Sequence, residues 1–378
     1  MNIVFICGAL EPGHDGVGDY TLKLAGELQN TGHKVSILAL YDWYVDECND
    51  QGYESVINCI DVLRLSSDCS GKRRFFAAKE WIDRINPNWL SLQFVPFSFQ
   101  RKGLPFRLGY FLNKVGTGRR YHIMFHELWV GMPVKASKKH IFWGWLQQQI
   151  IRLLMAELKP LVVHTQCRLY LAQLVQLGFR VSHLPLFSNI PVVSSGMAVK
   201  SHESNNKISP FTSISLIIFG TIHPQAFMRK LIEQVSSYKQ RHTVQFKLIL
   251  AGKCGSYQDK WISASRSAGI EVTVLGEQTQ EEISAALSRA TIGVTTSALP
   301  MVDKSGTVAA MLEHKLPVIC VGHSWTPRGV QSPARPPGIY LLEEGCIEAC
   351  LIGPGQVSNS VTVSETAKQL VDELALHK

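Results

Sequence analysis

The sequence predicts an α/β protein made of two doubly wound parallel-sheet domains. Short, almost wholly apolar runs of strand length alternate with amphipathic segments of helical length, the pattern of strands covered on both faces by helices. The series occurs twice, before and after a Ser-, Asn- and Pro-rich stretch at 187–213 that has neither period. In addition, 378 residues are too many for one typical core.

Taken in order, NIVFIC (2–7) is a buried strand and GALEPGHDGVGDY a turn. Leu22, Leu24, Ala25 and Leu28 then keep helical spacing until Gly32 ends the helix, and KVSILAL (34–40) is the next strand. Strand, glycine-rich turn, helix, strand is the start of a Rossmann-like sheet. Gly16, Val17 and Gly18 fall where the loop becomes the helix, so the backbone there could pass close to a sugar or phosphate. The spacing is not GxGxxG, and Asp42 is a weak stand-in for a ribose clamp, so no dinucleotide cofactor is expected.

Further strands are read at 56–65, 88–95, 121–129 and 161–165, with helices at 75–85 and 140–158. Open α/β sheets work beyond the carboxyl ends of their strands. That rule singles out His126 and Glu127, which end YHIMFHELW, although a polar pair closing a strand fits equally well. Segments 99–121 and 135–152 mix Lys and Arg with aromatic residues. The mixture suits an anionic membrane surface or polyanionic acceptor, or is a plain solvated face; no nucleic-acid module is recognisable.

The second series has strands at 215–220, 244–252 and 271–276 with helices at 226–239, 257–269 and 280–290. Then comes IGVTTSALPMVDKSGTVAAMLEHKLPVICVG (292–322): strand, loop, a short helix from about 307 to 314, and strand. Lys304, Ser305, Gly306, Thr307 and Val308 lie at the start of that helix. Unpaired amides, a partial positive charge, capping hydroxyls and a lysine outline a cradle for a diphosphate, as they would also describe an ordinary capped helix. A short strand, IYLLE, and a final helix (364–377) close the chain. The domain boundaries read as 1–190, a linker at 191–213, 214–358, and a C-terminal helix (359–378) packing back toward the first domain, with a ligand cleft between the two domains.

The totals narrow the class. Hydrophobic residues are 46% and charged residues 18%, which describes a folded protein. No run of 18 apolar residues suggests a membrane span, and the opening MNIVFICGAL does not read as a signal peptide. Nine scattered cysteines without a CxxC pair read as free thiols in a reducing compartment, and the expected location is cytoplasmic. A net charge of +8 invites an anionic partner and a peripheral place on the inner face of the membrane.

With these residues laid out, the chain resembles GT-B glycosyltransferases, and is similar to the family 4 retaining enzymes over nearly its full length. The resemblance rests on GHDGVGDYTLKLAGEL (13–28), NWLSLQFVPFSF (88–99), YHIMFHELW, LPLFSNIPV (184–192), LIIFGTIHPQ, KLILAGKCG, VTVLGEQTQEEISAALSRATIGVTTS and AAMLEHKLPVICV, in the family's order. It implies transfer of a sugar from a UDP- or GDP-sugar, without a metal or other cofactor, to a carbohydrate or lipid-linked acceptor. It also implies that residues 304–308 hold the diphosphate, that Gly18 lines the sugar side and that His126 contacts the sugar. The paired glutamates of the family are missing: aligning KLPVI on the family's GLPVV puts Val302 and Ala310 at their positions, with Asp303 and Glu313 as the nearest carboxylates. The family's Arg and Lys after the first C-terminal strand are also absent, leaving Arg229 and Lys253 as candidates for the diphosphate. A nucleotide-sugar-binding protein without activity and a GT-B epimerase are therefore the competing expectations.

Overall fold

The first strand of each sheet lies inside it, with later strands added on both sides. This arrangement is seen in a computed structural model that describes residues 1–46, 48–49, 51–193, 213–353 and 361–377. The chain divides into two units, Met1–Pro185 with Thr326–Pro333 and Val363–Lys378, and Leu186–Trp325 with Ala334–Thr362. Residues 194–212, within the expected linker, lie outside the described residues.

The first unit runs β1 (Asn2–Cys7), α1 (Gly16–Asn30), β2 (Lys34–Asp42), β3 (Tyr53–Ile57), β4 (Ile60–Ser66), α2 (Gly71–Ile85), β5 (Trp89–Phe94), α3 (Pro96–Phe99), α4 (Leu108–Val115), β6 (Arg120–Phe125), α5 (Lys138–Leu158), β7 (Val162–Thr165), α6 (Arg168–Gln176) and β8 (Ser182–His183). Its sheet order is β3-β4-β2-β1-β5-β6-β7-β8, parallel except for the antiparallel β3–β4 pair. The second unit runs β9 (Ser213–Phe219), α7 (Met228–Arg241), β10 (Gln245–Ala251), α8 (Gln258–Ser267), β11 (Glu271–Gly276), α9 (Gln280–Arg289), β12 (Ile292–Thr295), a 3₁₀ turn (Leu299–Lys304), α10 (Gly306–Glu313), β13 (Val318–Cys320), β14 (Ile339–Leu341) and α11 (Cys346–Ile352). All its strands are parallel, in the order β11-β10-β9-β12-β13-β14. That order reverses direction between β9 and β12, which makes their carboxyl ends a topological switch point.

The last helix, α12 (Val363–Ala375), belongs to the first unit. Gln369 donates to the His183 carbonyl (2.9 Å) and Thr366 to that of Pro185 (3.3 Å). The loop Thr326–Pro333 also joins this unit, through a Pro133–Pro327 bridge and a bond from the Arg328 amide to the Met132 carbonyl (2.8 Å).

Four expectations change. The strand read at 56–65 is the hairpin β3–β4: Asn58 and Cys59 both have positive φ (51° and 64°), the two-residue turn that suits twisted strands, and no glycine marks it in the sequence. The strand read through Trp129 ends at Phe125, because the amides of His126 and Glu127 both turn to the Phe94 carbonyl. Cys48 and Cys69 form a disulfide, so not all nine cysteines are free thiols. Asp42 is no ribose clamp. It is buried at the end of β2, bonded to Arg64 Nε (2.7 Å) and to the amides of Leu10 and Tyr44. Arg64 also reaches Glu11 (2.8 Å). Asp42→Ala would leave Arg64 half-paired and two amides unmet, so its cost should be about 3 kcal/mol. A urea midpoint unchanged from the wild type would contradict this account.

Candidate functional site

In the second unit the switch point is a set of loop ends tied by short polar bonds. Gly220 ends β9 with a positive φ of 84°, and a Cβ there would come within 3.0 Å of the Thr307 methyl. The start of α10 therefore sits directly over the end of β9. Thr296, just past β12, accepts the His223 amide (3.0 Å) and donates to the Thr221 carbonyl (3.1 Å), fastening the two loops together. Gly322, past β13, has no room for a side chain, since a Cβ would lie 2.1 Å from the Ser297 carbonyl.

Helix α10 begins with a side-chain cap. Ser305 Oγ accepts from the Val308 amide (3.4 Å), shares a bond with Thr307 Oγ1 (3.0 Å) and lies 3.5 Å from Ser297 Oγ. Gly306 is exposed with open space around its Cα, and no acidic residue stands in the first turn. Lys304 and Asp303 are half-buried in the preceding 3₁₀ turn. Helix-end amides, hydroxyls and a lysine here form a site whose sign favours an anion.

The remaining candidates divide. Arg229 is exposed in the first turn of α7, which also starts from this edge of the sheet. Lys253 follows β10 and pairs with Glu277 (3.1 Å) on the surface. Glu313 is the last residue of α10, roughly 10 Å along the axis from Gly306, and so is not brought to the helix start. Val302 and Ala310 are buried in a cluster with Ile217, Met311 and Leu316. The two positions that the resemblance sets against glutamates are thus part of the apolar core.

Sequence reasoning missed one side chain here. His323, three residues past β13, stacks on His223 with ring centroids 5.1 Å apart and planes 17° from parallel. Burial, then the neighbouring His223, lowers its pKa below 6.5, and its buried Nδ1 has no hydrogen-bond partner among the described residues. The signal was the same as for His126: a histidine at the carboxyl end of a buried strand.

In the first unit the candidates are placed differently. The cap of α1 is Asp15, which accepts the Val17 amide (3.2 Å), while Asp19 takes the Gly13 amide (2.9 Å). Two carboxyl groups therefore crowd this helix start, and burial raises the pKa of Asp15. Gly16 has open space, but Gly18 is buried against the Ala9 carbonyl and Leu10, so its lack of a side chain serves packing. Glu127 is half-buried.

His126 is 3% exposed, with its ring edge-on to Tyr20 (4.8 Å), and it heads a buried hydrogen-bonded chain. Gln93 Nε2 donates to Ser91 Oγ (2.8 Å), which leaves Gln93 Oε1 to accept from His126 Nε2–H (2.9 Å). Ser91 O–H can then donate to His122 Nδ1 (2.7 Å), His122 Nε2–H to His164 Nδ1 (3.0 Å), and His164 Nε2–H to Glu373 on α12 (2.9 Å). In this arrangement each bond of the chain has one donor and one acceptor, ending on a carboxylate. The His164 hydrogen bond is the main cause that holds Glu373 down to about 2. Burial, followed by His164 and His126, pushes His122 well below 6.5.

Among the described residues no group of three His, Cys, Asp or Glu is placed to hold a metal ion. The pKa shifts set the sign of an acid response. His122 stays neutral in the fold and gains a proton when unfolded, so stability falls as pH drops below about 6.5. Glu373 adds stability above its ordinary 4.5, lost as pH falls toward 2. His122→Asn should flatten the upper part of this fall, between about pH 6.5 and 5, and Glu373→Gln the lower part. Melting temperatures across that range test it; parallel curves for wild type and both variants would refute it.

No family model matches the sequence, and no curated protein matches it. Among solved structures it is similar to a glycosyltransferase from Rickettsia africae, with TM-score 0.60 and 12% identity over 100% of this chain and 99% of that one. It is also similar to HepE of Anabaena in complex with UDP and glucose, with TM-score 0.56 and 13% identity over the whole of both chains. UDP-GlcNAc 2-epimerase from Neisseria meningitidis bound to UDP-GlcNAc matches with TM-score 0.54 and 9% identity, again over both whole chains. At such identities the likeness is one of architecture: the chain has the GT-B fold, two Rossmann-like α/β units in one polypeptide.

Proposed function

We propose that the protein is a glycosyltransferase that takes a sugar from a nucleotide-diphosphate donor, UDP- or GDP-linked, and passes it to a carbohydrate or lipid-linked acceptor. The observation that carries the reading is the start of α10 at the switch point of the second unit. Ser305, Gly306 and Thr307 gather amides and hydroxyls there beside Lys304, over the end of β9. As the glycosidic bond breaks, negative charge grows on the departing diphosphate, and donors already aimed at it lower the barrier without reorganising. Arg229 joins this group from the start of α7, Lys253 on exchanging Glu277 for the diphosphate and Val308 by holding the Ser305 hydroxyl in place, and His126 and Glu127 stand as the sugar contacts of the first unit. Retention of configuration and independence of metal belong to the same reading. So does a peripheral cytoplasmic location, which the basic aromatic stretches favour and the Cys48–Cys69 bridge opposes.

A second reading has its own observation. Val302 and Ala310 lie in the core where the family has carboxylates, as suits a protein that binds a nucleotide sugar without turning it over. An epimerase is the third reading, favoured by the likeness to the Neisseria meningitidis enzyme.

Incubation with a panel of UDP- and GDP-sugars separates them. Nucleotide release in the presence of acceptor supports transfer, tight binding without release the second reading, and a change of sugar configuration the third. No binding of any donor would overturn all three. Lys304→Ala should weaken donor binding by roughly 1.5–3 kcal/mol, the worth of a charged hydrogen bond. Unchanged affinity by calorimetry would remove the α10 site.

A further inference from the structure

Phe99, Phe106, Arg107, Tyr110, Phe111 and Lys114 gather, with the first turns of α2, around a cavity of about 910 Å³ within the first unit. This volume is in the range of small-molecule sites. The walls are aromatic. Phe75 meets both Phe76 (5.4 Å) and Phe111 (5.3 Å) edge to face, and Phe106 and Tyr110 complete the lining. Phe76, Phe106 and Tyr110 are 57%, 48% and 52% exposed, a concentration of wet aromatic surface that marks an interaction site rather than a core.

Charge decides what that surface would take. Lys72, Arg74, Arg107 and Lys114 line the cavity, and among the described residues no acidic one does. Arg74 is committed elsewhere, bonded to the carbonyls of Ser67 (2.9 Å) and Cys69 (2.5 Å). Lys72, Arg107 and Lys114 are exposed. Gly71 and Lys72, also in the lining, are the first two residues of the 15-residue α2, whose positive end is not offset by an acid in its first turn. One cavity thus joins an anion-attracting mouth to an apolar wall.

We propose that this cavity binds a phosphate-bearing membrane lipid, its phosphate at the start of α2 with Lys72 and Arg107 and its chain along Phe75, Phe76, Phe106 and Tyr110. A free anion would leave the aromatic wall wet, and a neutral lipid would leave the cations without a partner. The site needs no nucleotide sugar, so it stands or falls separately from the donor site.

The test is co-sedimentation with vesicles of phosphatidylcholine, with and without phosphatidylglycerol. The wild type should bind only the anionic vesicles. Phe76→Asp and Phe106→Asp, at exposed positions whose folding is checked by melting temperature, should each weaken binding about tenfold, the loss expected for one apolar side chain. Lys72→Glu should do likewise. Lys260→Glu with Arg266→Glu, exposed positions on α8 in the second unit, should leave binding within about twofold. Four results would overturn the proposal: no binding to the anionic vesicles, equal losses for the α8 pair and the cavity variants, binding abolished by millimolar inorganic phosphate alone, or a single-stranded oligonucleotide that binds and displaces the vesicles.

Discussion

Parallel pairing is the constraint from which the sites follow. Strands that run the same way deliver their carboxyl ends to one edge of the sheet, and each crossover helix must start from that edge. In the second unit this brings the ends of β9, β10, β12 and β13 together with the starts of α7 and α10. Helix starts carry positive partial charge, so the edge is biased toward anions before any side chain is counted. The glycines and hydroxyls then settle where an anion could sit. Gly220 lets the Thr307 methyl at the start of α10 come down onto the end of β9, and the hydroxyls of Ser305 and Thr307 bond each other at that helix start.

The first unit meets the same constraint with a different outcome. Its first helix starts with Asp15 and Asp19 already in place, so the bias toward anions is spent on its own carboxylates. Its polar investment lies inside the sheet instead. Ser91 and Gln93, two residues apart on β5, share a face, and His122 is the register partner of Ser91 on β6. A polar group buried without a partner costs more than its bond would contribute, so a chain of this kind persists only when every link is made. Glu373 supplies the last acceptor. The C-terminal helix is thereby tied to the chemistry of the sheet interior, and the orientation of His126 depends on a residue near the end of the sequence.

The fold was legible because buried parallel strands are continuous apolar runs, and β1, β2, β5, β7, β9, β10 and β12 were read almost to the residue. What failed was punctuation without glycine or proline. The turn at Asn58–Cys59 uses positive φ at two residues, of which asparagine tolerates it but cysteine gives no sign of it, and α4 (Leu108–Val115) lies in a segment marked by its charge. The candidate site was legible where residues adjoin in sequence, as at 304–308. It was not where the fold brings distant residues together: His223 on His323, and Gln93, His122, His164 and Glu373 behind His126. Side-chain contacts at separations of tens to hundreds of residues leave no periodic trace. The cysteine count misled for the same reason, since pairing of Cys48 with Cys69 depends on a loop and a helix start meeting in space.

Val302 and Ala310, which the resemblance sets against two glutamates, bear on how the proposed site would act. A carboxylate at position 302 or 310 would face the packing of Ile217, Met311 and Leu316, and burying it unpaired would cost several kcal/mol, so the change is absorbed by the core around it. Its electrostatic effect runs the other way. With no charge at either position, the helix start and Lys304 are less opposed, which under the proposed function would strengthen the pull on a diphosphate. Uncompensated gain on the phosphate side holds donor and product alike, because both carry the diphosphate, and lowers the barrier only to the extent that charge grows between them. Under the proposed function, discrimination among sugars would then draw on groups such as Asp303, the one carboxylate the 3₁₀ turn keeps next to Lys304.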